Sequence, residues 1–144
     1  MDREILFRGK RTDNGEWIEG NLITGVFLRG GRDIPYIMCP DKADYDCFED
    51  FSVENGISEV DPETVCQYTG LTDKNGRKIF EGDIVEIPSD DAEIYIIEWD
   101  IDTARFTIVQ HGSVICDFDN YWGYELEIIG NIFDNAELLE GGVQ

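Results

Sequence analysis

The sequence predicts a mainly β protein: small antiparallel sheets, an SH3-like barrel in the C-terminal half and one short C-terminal helix. Three observations predict it. Short runs of β-branched, aliphatic and aromatic residues recur along the chain, Ile84–Ile87 and Glu93–Trp99 among them. Turn-forming stretches separate these runs, most clearly Thr12-Asp13-Asn14-Gly15 and Asn75-Gly76. Only residues 136–140, behind Asp134 and Asn135 as candidate caps, read as a helix.

Taken in order, residues 4–8 form a first strand with Ile5 and Phe7 on one face and Leu6 on the other. Residues 12–15 turn, and residues 16–23 form a second strand, broken or bulged near Gly20, that completes a hairpin. Gly25–Leu28 is a short third strand followed by a glycine-rich loop. Ile34–Met38 reads as an edge strand, because Pro35 cannot donate to a ladder. Residues 39–56 mix acids and aromatics without a period and read as a loop with a short strand at 47–53. Val60, Val65 and Tyr68 are expected to pack on the core.

Asn75-Gly76 predicts a type I′ turn, which needs positive φ at both central residues. Gly82-Asp83 marks a second turn that glycine accepts easily, and a Gly-Asp-Ile-Val strand after such a turn is how small SH3-like barrels begin. Pro88 ends that strand. Residues 93–99, with Ile94, Ile96 and partly Ile97 inside, pair with 104–110 as a hairpin. Residues 114–118 and 124–129 supply the last strands, and Gly130-Asn131 bends the final one. The break falls near residues 60–66, giving an N-terminal β unit (1–62) and the barrel with its helix (63–144). A single continuous β domain is the other arrangement the pattern allows.

Three segments carry a family resemblance. Residues 68–85, Y-T-G-L-T-D-K-N-G-R-K-I-F-E-G-D-I-V, resemble the signature of the YopX family of phage and prophage proteins. Arg3–Ile23 is similar to that family's N-terminus, and Glu127–Leu139 to its C-terminus. Ala136 departs from the pattern, standing where proline would start the terminal helix; that loosens the helix start without changing the fold. The resemblance implies a mostly β protein encoded by a phage or prophage, located in the cytoplasm of the bacterial host. It implies no catalytic residue and no cofactor.

Composition excludes several classes. The chain has 144 residues, 42% hydrophobic and 12% aromatic, which suffices for a packed core despite a net charge of −21. The charge is uneven: residues 1–32 carry six Lys+Arg against five Asp+Glu, and residues 33–144 carry five against 27. Such a chain repels phosphate backbones and anionic lipid, so neither direct nucleic-acid binding nor membrane binding is expected. Arg8, Lys10 and Arg11 form only a small basic cluster. Cys39, Cys47, Cys66 and Cys116 include no C-x-x-C pair, which excludes a zinc ribbon and a thioredoxin-type site. The N-terminus shows no secretory leader and no apolar run is long enough to span a membrane, so the expectation is an intracellular location with free thiols.

Candidate chemistry is sparse. Asp41, Asp44, Asp46, Glu49 and Asp50 crowd one span, but it lacks the central glycine of a calcium loop and reads as a solvated acidic loop. Asp83, Glu98 and Asp100 lie at strand ends, where a metal-assisted hydrolase would gather carboxylates. The single histidine, His111, precedes Gly112 and reads as a surface turn residue. Cys66 and Cys116 sit among apolar neighbours as buried thiols. Tyr121, Trp122 and Tyr124 either close the core or present a stacking surface. No phosphate-binding glycine loop occurs.

The expectation is therefore a non-enzymatic protein-interaction module without cofactor. Its partner would be a host or phage protein, or a second copy of the chain. The alternatives are a metal-dependent hydrolase, an acidic mimic of DNA that occupies a nucleic-acid-binding protein, or a module that binds glycans or small ligands through Trp122.

Overall fold

A computed structural model describes residues 4–24, 34–39, 56–87, 93–102, 104–110, 113–117 and 126–141. The described residues are mainly β. In chain order the strands are β1 (Phe7–Lys10), β2 (Trp17–Ile23), β3 (Tyr36–Met38), β4 (Ile57–Glu59), β5 (Cys66–Thr72), β6 (Lys78–Phe80), β7 (Asp83–Glu86), β8 (Ile94–Asp100), β9 (Arg105–Gln110), β10 (Ser113–Asp117) and β11 (Glu127–Asn131). One short helix, α1 (Glu137–Gly141), follows them. All pairings are antiparallel, and the strands make two sheets. The chain divides into two compact units, Met1–Gln67 and Tyr68–Gln144.

In the first unit β1 and β2 form the expected hairpin, with Phe7 opposite Gly20 and Lys10 opposite Trp17. The first strand begins later than its apolar pattern predicts: Ile5 precedes it and is exposed. The expected bulge at Gly20 is absent, since β2 keeps one unbroken register against β1 and β3. Glycine is needed there for another reason: a Cβ would collide with the carbonyl oxygen of Met38.

Pro35 also has a different role from the expected one. The strand β3 is not an edge but lies between β2 and β4. Proline stands just before it, where no ladder N–H is required, and its carbonyl accepts the Val60 N–H at 3.1 Å. The core of this unit is Ile18, Ile37 and Val60, against which Phe7, Leu22, Cys39 and Val65 pack. At the end of β1, Thr64 Oγ1 accepts the Lys10 N–H at 2.9 Å while donating to the Asp61 carbonyl at 2.7 Å. The short 3-10 turn at Pro62–Thr64 thereby locks onto β1, capped by the Asp61 side chain.

In the second unit β5 and β6 form a hairpin whose turn differs from the one predicted. The Gly76 N–H donates to the Asp73 carbonyl at 3.0 Å, and the Asp73 N–H donates to Arg77 O at 2.8 Å. Among described non-glycine residues only Ala104 has positive φ, so Asn75 keeps a negative φ and within this loop Gly76 alone is left-handed, at φ +82°. This is a type I turn followed by a left-handed glycine, the three-residue hairpin loop in place of type I′. The Asp73 carboxylate selects it: Oδ1 accepts the N–H groups of Asn75 and Arg77, each at 2.9 Å.

The other sheet of this unit has the order β10-β9-β8-β7-β11. Its core comprises Ile79, Val85, Tyr95, Ile97, Ile108, Leu126 and Ile128, with Leu71, Ile87 and Phe106 packed alongside. Each of these buried side chains contributes about 1.5–3 kcal/mol of transfer free energy. Ile97 is inside as expected, but its companion on this face is Tyr95, while Ile94 and Ile96 are half-buried. With apolar residues at all four positions 94–97, alternation could not declare which parity faces the core; pairing with Val85 and Ile108 did. The final strand shifts register between Ile128 and Gly130, the expected bend. The Asn135 side-chain oxygen turns back to accept the Asn131 N–H at 3.1 Å.

Candidate functional site

The core-facing stripe of β8 runs out of the core. Tyr95 and Ile97 are 8% and 0% exposed; two and four residues further on, Trp99 and Ile101 are 44% and 83% exposed. Tyr95, Ile97 and Trp99 share one side of the strand by its period of two, and Ile101 follows in the turn. Trp99 pairs with Phe106 of β9, their rings edge to face at 5.0 Å and 71°. The indole makes that contact while nearly half its residue surface meets solvent.

The hairpin tip is built by local polar chemistry. Asp100, opposite Arg105, folds its Oδ1 back onto the Asp102 N–H at 3.0 Å. Ala104 takes φ +55°, a left-handed backbone that disfavours a side chain. Glu98 and Asp102 are exposed and Asp100 half-exposed, with Arg105 as the cation of the tip. Trp99 and Ile101 thus alternate along the chain with three acids, and the register that sets Trp99 opposite Phe106 and Asp100 opposite Arg105 places Glu98 and Asp100 on the other face.

A second polar centre of this unit is structural. Asp73 is 3% exposed, and its Oδ2 accepts the Ile128 N–H at 3.0 Å. Burial acts to raise its pKa, but hydrogen bonds from the N–H groups of Ile128, Arg77 and Asn75, with the Arg77 charge, outweigh burial and hold the carboxyl below the ordinary value. The signal for this role was available: an aspartate two residues before Asn-Gly is where an Asx turn forms. The signal for Trp99 and Ile101 was the apolar alternation continuing into the turn.

The carboxylates considered for metal chemistry have other occupations. Asp83 is 1% exposed, and its Oδ2 accepts the Phe80 N–H at 2.7 Å. Asp100 shapes the hairpin turn and Glu98 faces solvent. Among the described residues no group of three or more His, Cys, Asp or Glu is placed to hold a metal. Cys66 is buried, its thiol donating to the Thr64 carbonyl at 3.3 Å. Tyr121, Trp122 and Tyr124, the acids Asp41, Asp44, Asp46, Glu49 and Asp50, and His111 lie outside the described residues, as does the strand expected at 25–28. The basic cluster is engaged within its own sheet: Arg8 and Lys10 lie 4.8 and 5.4 Å from the Trp17 ring, and Arg11 pairs with Asp13 at 2.6 Å. Among the described residues no helix is long and apolar enough to cross a membrane.

Comparison with known proteins gives a family match and a structural likeness. The family model described as YopX protein matches residues 6–140. The crystal structure of protein EF1440 from Enterococcus faecalis is similar, with a TM-score of 0.52 and 25% sequence identity, covering 96% of this chain and 99% of that one. No curated protein matches the sequence.

Proposed function

The chain belongs to the YopX family, and on that premise we propose that it is a non-enzymatic protein-interaction module, a phage or prophage accessory protein acting in the cytoplasm of its bacterial host. The observation that carries this reading is the β8–β9 hairpin, whose core-facing stripe continues past the core as Trp99 and Ile101. Exposed aromatic and aliphatic side chains on a paired strand are frequent anchors of a protein contact. The metal-dependent alternative lacks a comparable support, because Asp83 and Asp100 are spent on backbone N–H groups.

The test is affinity capture from host lysate with the wild-type chain and with a W99A/I101S variant. A defined host or phage protein retained by the wild type and lost with the variant supports the reading. A retained set that does not change between the two overturns it. A mimic of DNA would instead lose its partner on raising the salt and keep it in the variant, since its contacts are carboxylates screened within a Debye length.

A further inference from the structure

We propose that Asn14 is a modification site: its side-chain amide is lost by spontaneous deamidation, whereas Asn75, in the same Asn-Gly context, is protected by Asp73. Asn-Gly pairs stand at 14–15, 55–56 and 75–76, and Asn55 lies outside the described residues. Such a pair is reactive because glycine has no Cβ to shield its nitrogen or restrict its backbone. Water is the only co-reactant. The Gly15 nitrogen gives its proton to solvent base and bonds to Asn14 Cγ, while Nδ2 takes up a proton and leaves as ammonia. Water then opens the cyclic imide, its hydroxyl going to one carbonyl carbon and its proton to the ring nitrogen. Opening at Cγ leaves aspartate, and opening at the main-chain carbonyl leaves isoaspartate. Either product carries a new carboxylate.

The two described sites share what the dipeptide alone supplies. Asn14, Gly15, Asn75 and Gly76 are all exposed. Both glycines are left-handed, at φ +72° and +82°. Both attacking nitrogens are engaged: the Gly15 N–H donates to the Arg11 carbonyl at 2.9 Å and the Gly76 N–H to the Asp73 carbonyl at 3.0 Å. Giving up that bond is needed at either site and does not separate them.

The N–H two residues after each asparagine does separate them. The Glu16 N–H donates to Asn14 Oδ1 at 2.9 Å. Negative charge develops on that oxygen as Cγ is attacked, so a donor already stands where the transition state needs one. The Asn14 Nδ2 group also donates to the Glu16 carboxylate at 3.4 Å. At the second site the corresponding N–H, that of Arg77, donates to Asp73 Oδ1 at 2.9 Å instead, as does the Asn75 N–H. Asp73 is 3% exposed and also accepts the Ile128 N–H. Rearranging the loop around Asn75 therefore breaks bonds to a buried acceptor. The other loop is tied at its start, where the Thr12 N–H donates to the Glu59 carbonyl at 3.1 Å, and the Asn14 side chain bonds to exposed Glu16. Local opening costs less there.

The test is peptide mapping by mass spectrometry of the full chain aged in mildly alkaline buffer, once folded and once unfolded in guanidinium. In the folded chain Asn14 should convert about tenfold or more faster than Asn75, and the two rates should draw together on unfolding. Asp73→Ala should speed conversion of Asn75 and leave Asn14 unchanged. Equal rates in the folded chain, a faster Asn75, or no conversion at either site overturns the proposal. A gap that persists undiminished in guanidinium also overturns it, because neighbouring residues and not the fold would then set the rates. An Asn75 rate unmoved in folded Asp73→Ala removes the protective role of Asp73. If that variant does not fold, the wild-type ratio of folded to unfolded rate decides: it must be lower at Asn75 than at Asn14, and equal ratios overturn the proposal.

Discussion

The carboxylate of Asp73 accepts the backbone N–H of Ile128 at 3.0 Å, across 55 residues of sequence. Its other oxygen accepts two N–H groups of its own turn. One buried side chain therefore both selects the β5–β6 hairpin loop and ties it to the start of β11. Beside it the Lys74 N–H donates to the carbonyl of Leu126, just before β11, at 2.9 Å, and the Lys74 ammonium lies 3.5 Å from the Glu127 carboxylate, so the loop and the last strand are joined at several points.

Removing that acceptor should destabilise the fold. Asp73→Ala leaves three N–H groups without their partner, and we expect a loss of about 3 kcal/mol. Asp73→Asn keeps one acceptor oxygen and should fall between the wild type and alanine. Urea denaturation of the three chains measures this, and an alanine variant within about 0.5 kcal/mol of the wild type would contradict it.

The same residue predicts a pH dependence. Its folded pKa lies below the ordinary carboxylate value, so in the acid range the unfolded chain binds the extra proton and stability rises with pH. The contribution is complete above the unfolded value of about 4 and is lost as pH falls through the lower folded value. The stability difference between the wild type and Asp73→Asn should therefore be constant from neutral pH to about 5 and shrink below about 4. Using the difference removes the general effect of titrating the other carboxylates.

Two glycines should fail for different reasons. Gly76 has φ +82° and open space where a Cβ would stand, so Gly76→Ala costs about 1–2 kcal/mol of backbone strain alone. Gly76→Asn, which tolerates that region, should recover part of it. Gly20→Ala drives a Cβ into the Met38 carbonyl, a backbone atom held in the β2–β3 ladder, and should cost more than Gly76→Ala. Thermal denaturation ranks the three variants.

At the hairpin tip the prediction reverses sign. Ala104 carries a side chain at φ +55°, and Ala104→Gly should stabilise the chain by about 0.5–1 kcal/mol, the relief of left-handed strain less the added freedom of glycine. The tip residues proposed for docking should matter little to folding: Ile101→Ser should shift stability by under about 0.5 kcal/mol. Trp99→Ala should cost about 1 kcal/mol through its contact with Phe106. Melting curves of these variants check both statements and serve as the folding control for the binding measurements.

Most of the strands were legible because their signals are local. Period-two runs, β-branched residues and turn glycines act through neighbours in sequence, and they place β2, β7, β8 and β9 within a residue or two. Where two local readings competed, the sequence misled. The run at 94–97 is apolar on both faces, so its core side was unreadable. Ile57–Glu59 has no run long enough to announce β4, which exists because Tyr36–Met38 offers it a partner. At Asn75-Gly76 the dipeptide spoke for type I′, and the Asp73 carboxylate overruled it.

By itself, then, the sequence determined a strand-rich chain with a strongly anionic composition, the positions of its turns and the family to which it belongs, because each depends on residue identity and short-range order. Only the tertiary structure decided that Pro35 precedes an interior strand, that Gly20 makes room for a carbonyl, that Asp73 reaches Ile128, and that Trp99 and Ile101 lie beyond the end of the core. Those facts depend on which distant backbone arrives beside a given residue, and strand pairing, not local propensity, sets that arrival.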